Sequence, residues 1–193
     1  MNENVERHDL RISKTNEKLR DALGSLMEER PYDDITVIDI CERANVRRAT
    51  FYRHFSDKHD FLTHTITAIA DDMSHAAHEK YGNMGLCEYI IGYVKEVFAF
   101  IQEKKRLFDN VLSSTAIYRV YEISLKTTQK LLMGNFDDAD VNGTLAAGTK
   151  VAASAFINGG IAHMVINFFL SKDNRVEEFF AELRRILEKL FSE

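Results

Sequence analysis

The sequence predicts an all-α protein of about nine helices, and three observations carry that reading. Pro31 is the only proline and there are nine glycines in 193 residues, so few positions interrupt a helical backbone. Apolar residues recur three and four apart along most of the chain, which is the period of a helix buried on one side. At 45% hydrophobic and 28% charged residues, the chain can bury a core, of a size that suits one domain or two small ones.

The elements follow in order. Leu19, Leu23, Leu26 and Met27 lie at helical spacing within Lys14 to Glu29, with Pro31 just beyond, which predicts a first amphipathic helix. In ITVID, Thr36 is placed to cap a second helix and Asp39 to complete a capping box, while Ile35 and Ile40 sit where a hydrophobic staple forms. This helix runs to about Ala44, because Asn45 tolerates the left-handed conformation that ends helices and Val46 can tuck back. A third short helix covers roughly Arg47 to His54. Asp57 and Asp60 in SDKHDF predict a second capping box and a longer helix to about His78. Periodicity alone then gives helices over Gly85–Lys104, Arg106–Leu112, Thr115–Met133, Thr144–Ser171 and Asn174–Phe191, with NFDDADVNG as a polar loop.

Two short helices joined by a turn at Asn45 and Val46 have the proportions of a helix-turn-helix. The net charge of −5 argues against general nucleic-acid binding. Between Arg43 and Lys58, however, Arg43, Arg47, Arg48, Arg53 and Lys58 face one acid, Asp57, a local balance of 5 − 1 = +4. A focused basic patch on an acidic chain suits one phosphate-bearing surface, although a solvated charged face has the same composition. With Ala44, Val46, Phe51 and Phe55 inward, Arg47, Arg48, Thr50, Tyr52 and Arg53 point outward, and those are groups that reach base edges and phosphates.

These residues carry a family resemblance. ITVIDICERANVRRATFYRHFSDKHDFL resembles the helix-turn-helix signature of TetR-type transcription regulators, over about residues 12–64. Asn45 stands where the family usually has glycine. Arg47 stands where a capping serine is common, so the third helix lacks a cap worth about 1 kcal/mol and its arginine is free to reach a phosphate. The resemblance implies a DNA-binding head over 1–56 and a ligand-binding and dimerisation domain over 57–193, with helix 57–78 connecting them. It places Arg48, Ala49 and Tyr52 against bases, and Thr36, Thr50, His54 and Lys58 against the DNA backbone. It further implies a homodimer, a palindromic operator, a small-molecule effector and, more often than activation, repression.

For the effector, Tyr89, Tyr93, Tyr118, Tyr121 and Asn158 are the candidate lining, each an apolar body with a polar tip. For the dimer, the candidates are Phe156 and His163 on the eighth helix and Phe179, Leu183, Ile186, Leu187 and Leu190 on the ninth, paired into a four-helix bundle. The 21 uncharged residues between Lys150 and Lys172 are long enough to span a bilayer. Ser154, Asn158, His163 and Asn167 favour a helix buried all round instead, so no membrane partner is expected.

His64, Asp71, His75 and His78 share one side of the fourth helix and read as a solvated face rather than a metal site. No nucleotide-binding, hydrolase or metalloprotease motif occurs, so neither an enzyme nor a cofactor is expected; a helical enzyme holding a phosphorylated substrate is the rival class, and an activator or co-regulator of the same fold the nearer alternative. Residues 1–20 hold no apolar core of a secretory signal, and Cys41 and Cys87 have no pairing or zinc spacing. A cytoplasmic protein is therefore expected.

Overall fold

The computed structural model describes residues 3–139, 147–171 and 174–191. Nine α-helices lie among the described residues: α1 Glu3–Glu29, α2 Val37–Ala44, α3 Arg48–His54, α4 Lys58–Tyr81, α5 Leu86–Glu103, α6 Lys105–Leu112, α7 Ala116–Ala139, α8 Ala147–Leu170 and α9 Val176–Phe191. A short 3-10 turn, Tyr32–Asp34, stands between α1 and α2. So short an element has no apolar period of its own, but Pro31 at φ −56° opens it.

Two helices exceed their expected lengths. α1 begins at Glu3 rather than Lys14, because nothing between them breaks a helix even where the apolar spacing fades. α7 continues through Ala139, so the first half of the expected NFDDADVNG loop is helical, and the remainder lies outside the described residues, as does the expected start of α8 at Thr144.

The contacts divide the chain into two compact units, one ending at Thr65 and including Ile101–Val120, the other comprising Ile66–Phe100 and the residues from Tyr121 onward. The expected division near residue 56 is therefore displaced. The α6 region joins the head because α1 holds it: Asn110 Nδ2 donates to the Met27 carbonyl at 2.8 Å, and Leu107 lies beside Gly24.

The first unit is built on Leu19, Leu23, Leu26, Tyr32, Ile35, Ile40 and Phe51, all essentially inaccessible. Phe51, Phe55 and Phe61 close it as an aromatic triad with centroids 4.7 to 5.5 Å apart. In the second unit Phe98 of α5 is surrounded by Phe168, Phe169, Phe179 and Phe180 at 4.8 to 5.1 Å. Tyr81 packs so tightly on Gly92 that a Cβ there would overlap its ring.

α8 is the exception to this closure. Only 28% of its apolar stretch, Lys150–Leu170, is buried, so it is not surrounded on all sides within one chain. It is the one described helix long and apolar enough to cross a membrane. Val151, Phe156 and Leu170 stand exposed on it.

Candidate nucleic-acid interface

α2 is fixed at both ends by local chemistry. At its start Thr36 Oγ1 accepts the Asp39 N–H while the Asp39 carboxylate accepts the Thr36 N–H, the expected capping box, and Ile35 and Ile40 are both fully buried. At its end Asn45 sits at φ 52°, ψ 47°, the Val46 N–H reaches the Cys41 carbonyl and the Asn45 N–H the Glu42 carbonyl. That is the paired closure of a Schellman motif, and it turns the chain sharply into α3.

α3 has one buried and one exposed side. Phe51 is inaccessible and Phe55 nearly so, which points Arg47, Arg48, Ala49, Tyr52 and Arg53 outward; Tyr52 is 55% exposed, while Thr50 and His54 are half-buried at the edges of that face. Arg47 makes no side-chain cap, so the first amides of α3 have no side-chain partner from that residue.

The positive charge is narrower than the count of +4. Arg43 forms a bidentate pair with Glu29 at 2.8 and 2.9 Å and also bonds Ser25, which holds the Glu29 carboxyl below its usual range. Lys58, expected against the DNA backbone, turns inward. Its Nζ donates to the carbonyls of Tyr32, Asp33 and Ile35 at 3.1, 3.2 and 2.8 Å and lies 4.5 Å from the Tyr32 ring centroid. The ammonium thus closes the 3-10 turn and is not presented to a phosphate. Thr36 is exposed, but its hydroxyl proton goes to the Asp39 carboxylate at 2.6 Å. Arg47, Arg48 and Arg53 remain as the outward cations of α3 and its start.

The second capping box is shifted by one residue. Asp57 Oδ1 accepts the His59 and Asp60 amides at 2.7 and 2.8 Å, but the Asp60 carboxylate reaches back to the Ser56 amide and hydroxyl rather than to Asp57. Both amides lower the Asp57 carboxyl.

Tyr118 stands apart from the other candidate effector residues. Tyr118 belongs to the first unit and is 78% exposed, which removes it from any internal lining of the second. Tyr89 is buried with its hydroxyl 3.3 Å from Ser74, Tyr93 has its phenol pushed up to about 12 by burial, Tyr121 is half-buried, and Asn158 donates to the Leu125 carbonyl at 2.6 Å. Of the dimer candidates, Leu183 and Leu187 are 1% exposed and fill their own chain's core, and Phe179 stacks on Phe98. Those three therefore serve the subunit's interior. Phe156, His163, Ile186 and Leu190 are on the surface.

On α4, His64, Asp71, His75 and His78 are exposed, and His75 Nδ1 bonds the Asp71 carbonyl. Among the described residues no three potential ligands gather into a metal-holding group. Both cysteines are free, with thiols raised by burial.

Residues 19–65 match the family model of bacterial regulatory proteins of the tetR family. The match lies in the helix-turn-helix region and covers about a quarter of the chain. Over 55 residues, 28% of the chain, it is 44% identical to the HTH-type transcriptional regulator YxbF of Bacillus subtilis strain 168, and that match spans 14% of the relative's length. The fold extends the likeness well beyond the head. A TetR-family transcriptional regulator from Syntrophomonas wolfei superposes with a TM-score of 0.70 at 17% identity, covering 92% of this chain and 95% of that one. The dihydroxyacetone kinase operon activator DhaS gives 0.65 at 16%, covering 91% and 95%. The fatty acid degradation regulator FadR of Bacillus halodurans gives 0.64 at 17%, covering 90% and 94%. The architecture is thus that of tetR-family regulators.

Proposed function

We propose that the protein is a cytoplasmic homodimeric regulator that reads a palindromic operator with two copies of α3 and is released when a small molecule binds its second unit. The observation that carries the DNA reading is the two-sided character of α3. An aromatic triad holds it from behind while three cations and Tyr52 stand free in front. Arg48, Ala49 and Tyr52 are the base-reading groups, and Arg47, Thr50, Arg53 and His54 the phosphate contacts. Thr36 joins the phosphate contacts by turning its hydroxyl proton away from Asp39.

The second copy is assigned to α8 and α9. Phe156, His163 and Leu170 share an uncharged side of α8 with Gly159 and Gly160, whose Cβ positions open on empty space, and Ile186 and Leu190 extend the apolar surface on α9. An exposed apolar surface of that extent is better covered by a protein copy than by water. Tyr89, Tyr93, Tyr121 and Asn158 are the effector candidates. Release requires only that the effector bind the DNA-incompetent state more tightly than the competent one.

Repression follows where the dimer covers a promoter. The same fold serves an operon activator, DhaS, so the position of the operator sets the sense of regulation. The direct test is titration of the purified protein onto the promoter region of its own gene at several salt concentrations. Two phosphate-contacting cations per head, Arg47 and Arg53, give about four phosphate-neutralising groups in a dimer, hence a slope of log K against log salt of roughly −4. A slope near zero, or no shift at all, would refute the reading.

A further inference from the structure

Four residues between α1 and α2, Tyr32 to Ile35, collect an unusual share of the head's polar contacts. From the start of α4, Lys58 Nζ binds three of their carbonyls, and Tyr32, fully buried, sends its hydroxyl back to the Lys58 carbonyl at 3.0 Å and meets His59 Nδ1 at 3.1 Å. From the start of α7, the Thr115 N–H donates to Asp33 Oδ2 at 2.9 Å and the Thr115 hydroxyl donates to Asp33 Oδ1. The Asp33 carboxyl is lowered by these donors, with Lys58 and His59 adding to the effect.

The core of the head does not require the last of these links. Tyr32, Ile35 and Ile40 on either side of Asp33 are fully buried, as are Leu19, Leu23 and Phe51, whereas Asp33 itself is on the surface. What the pair does is join the residue immediately before α7 to the residue three positions before Thr36, where the capping box begins. A carboxylate placed at the N-terminal end of a helix from a residue 82 positions away fixes where that helix begins relative to the reading helices. α4 and α7 both start on this segment, and both continue past the first unit into the second.

We propose that Asp33 and Thr115 are positioning residues for operator recognition: their contact holds the α2–α3 pair at the angle that fits base edges, so that displacement of α7 is read out as loss of specific binding. The proposal rests on the DNA reading above and extends it to how that reading is regulated. Neither residue lies on α3 or is among the proposed base and phosphate contacts, so the pair acts on specificity and not on the electrostatic contact with phosphates.

The test compares Thr115→Val, which keeps the shape but removes the hydroxyl, with Thr115→Ser, which retains it, and with Asp33→Asn. Full-length protein is titrated onto a palindrome selected from random DNA and onto a random duplex. Thr115→Val and Asp33→Asn should lose about fivefold to tenfold on the palindrome, change little on the random duplex, and keep the wild-type salt slope, while Thr115→Ser restores binding. Equal losses on both duplexes, or no loss on the palindrome, would overturn the proposal. Hydrogen exchange without DNA gives an independent measure: the α2 amides should exchange faster in Thr115→Val and those of α5 should not. Unchanged α2 exchange would sink the junction even if the wild type bound no DNA, a result that would instead sink the operator reading.

Discussion

Replacing Lys58 by methionine separates two roles that the sequence could not. If the ammonium is a structural cap, Lys58→Met removes three charge-assisted bonds to main-chain carbonyls at 2.8 to 3.2 Å and a cation held over the Tyr32 ring. Bonds of this kind contribute about 1.5–3 kcal/mol where the partners stay buried. The Asp33 residue is exposed and its carbonyl can rehydrate, while methionine retains the packing of the stem, so about 2 kcal/mol in total is expected. For a chain of 193 residues that corresponds to a melting midpoint lower by about 4–8 °C. The assay is thermal unfolding beside DNA titration across a salt series. The structural role predicts a lowered midpoint with the salt slope unchanged at temperatures where the protein is folded. An unaltered midpoint with a slope reduced by about one per head would show a phosphate contact and refute the reasoning.

Other outcomes follow from the same contacts. Arg48→Ala or Tyr52→Ala should weaken operator binding by about 1–3 kcal/mol and relax the preferred sequence, measured against random DNA, whereas equal loss on both duplexes would make them phosphate contacts. Leu187→Ala should destabilise the fold by about 2–5 kcal/mol in thermal unfolding, because the side chain is buried in its own subunit; Ile186→Asp should leave the subunit folded and lower the sedimentation mass from dimer to monomer. Gly92→Ala should lower the melting midpoint, since the added Cβ would overlap the Tyr81 ring.

The carboxyls of Glu29, Asp33, Asp39 and Asp57 are all lowered, chiefly by hydrogen bonds from Arg43, Thr115, Thr36 and the Asp60 amide respectively. A lowered folded-state value gives stability that is fully present above the unfolded value near 4 and disappears as pH falls through the folded one. Melting midpoints should therefore be level from pH 8 to about 5 and fall below it, and a level profile down to pH 3 would contradict the assignment.

The head was legible because its signals are local. Thr36 and Asp39 three residues apart, Asn45 at the turn, and Phe51 against Tyr52 each act over less than two helical turns, so spacing alone locates α2, the turn and the exposed side of α3. Contacts between distant segments left no such trace. Nothing in the spacing pairs Asp33 with Thr115 or turns Lys58 inward, and Arg43 counted as a free cation until Glu29 was found beside it.

The last two helices show the same limit in another form. On α9 the apolar stripe is too broad for one role: Leu183 and Leu187 pack inward, whereas Ile186 and Leu190, each three residues further along the chain from one of them, remain outside. Periodicity identifies an apolar side without saying which copy of the chain covers it. α8 has apolar residues on all sides, so its sequence concealed that most of the helix is uncovered in a single subunit.

In the proposed assembly two copies of α3 read one palindrome. Selection of bound sequences from random duplex DNA by the purified full-length protein tests it without knowledge of the effector or the regulated genes. The expected product is an inverted repeat whose half-site centres lie about 34–36 Å apart, the spacing of successive major grooves on one side of the duplex. Recovery of no enriched sequence, or of a single half-site with no two-fold partner, would contradict it.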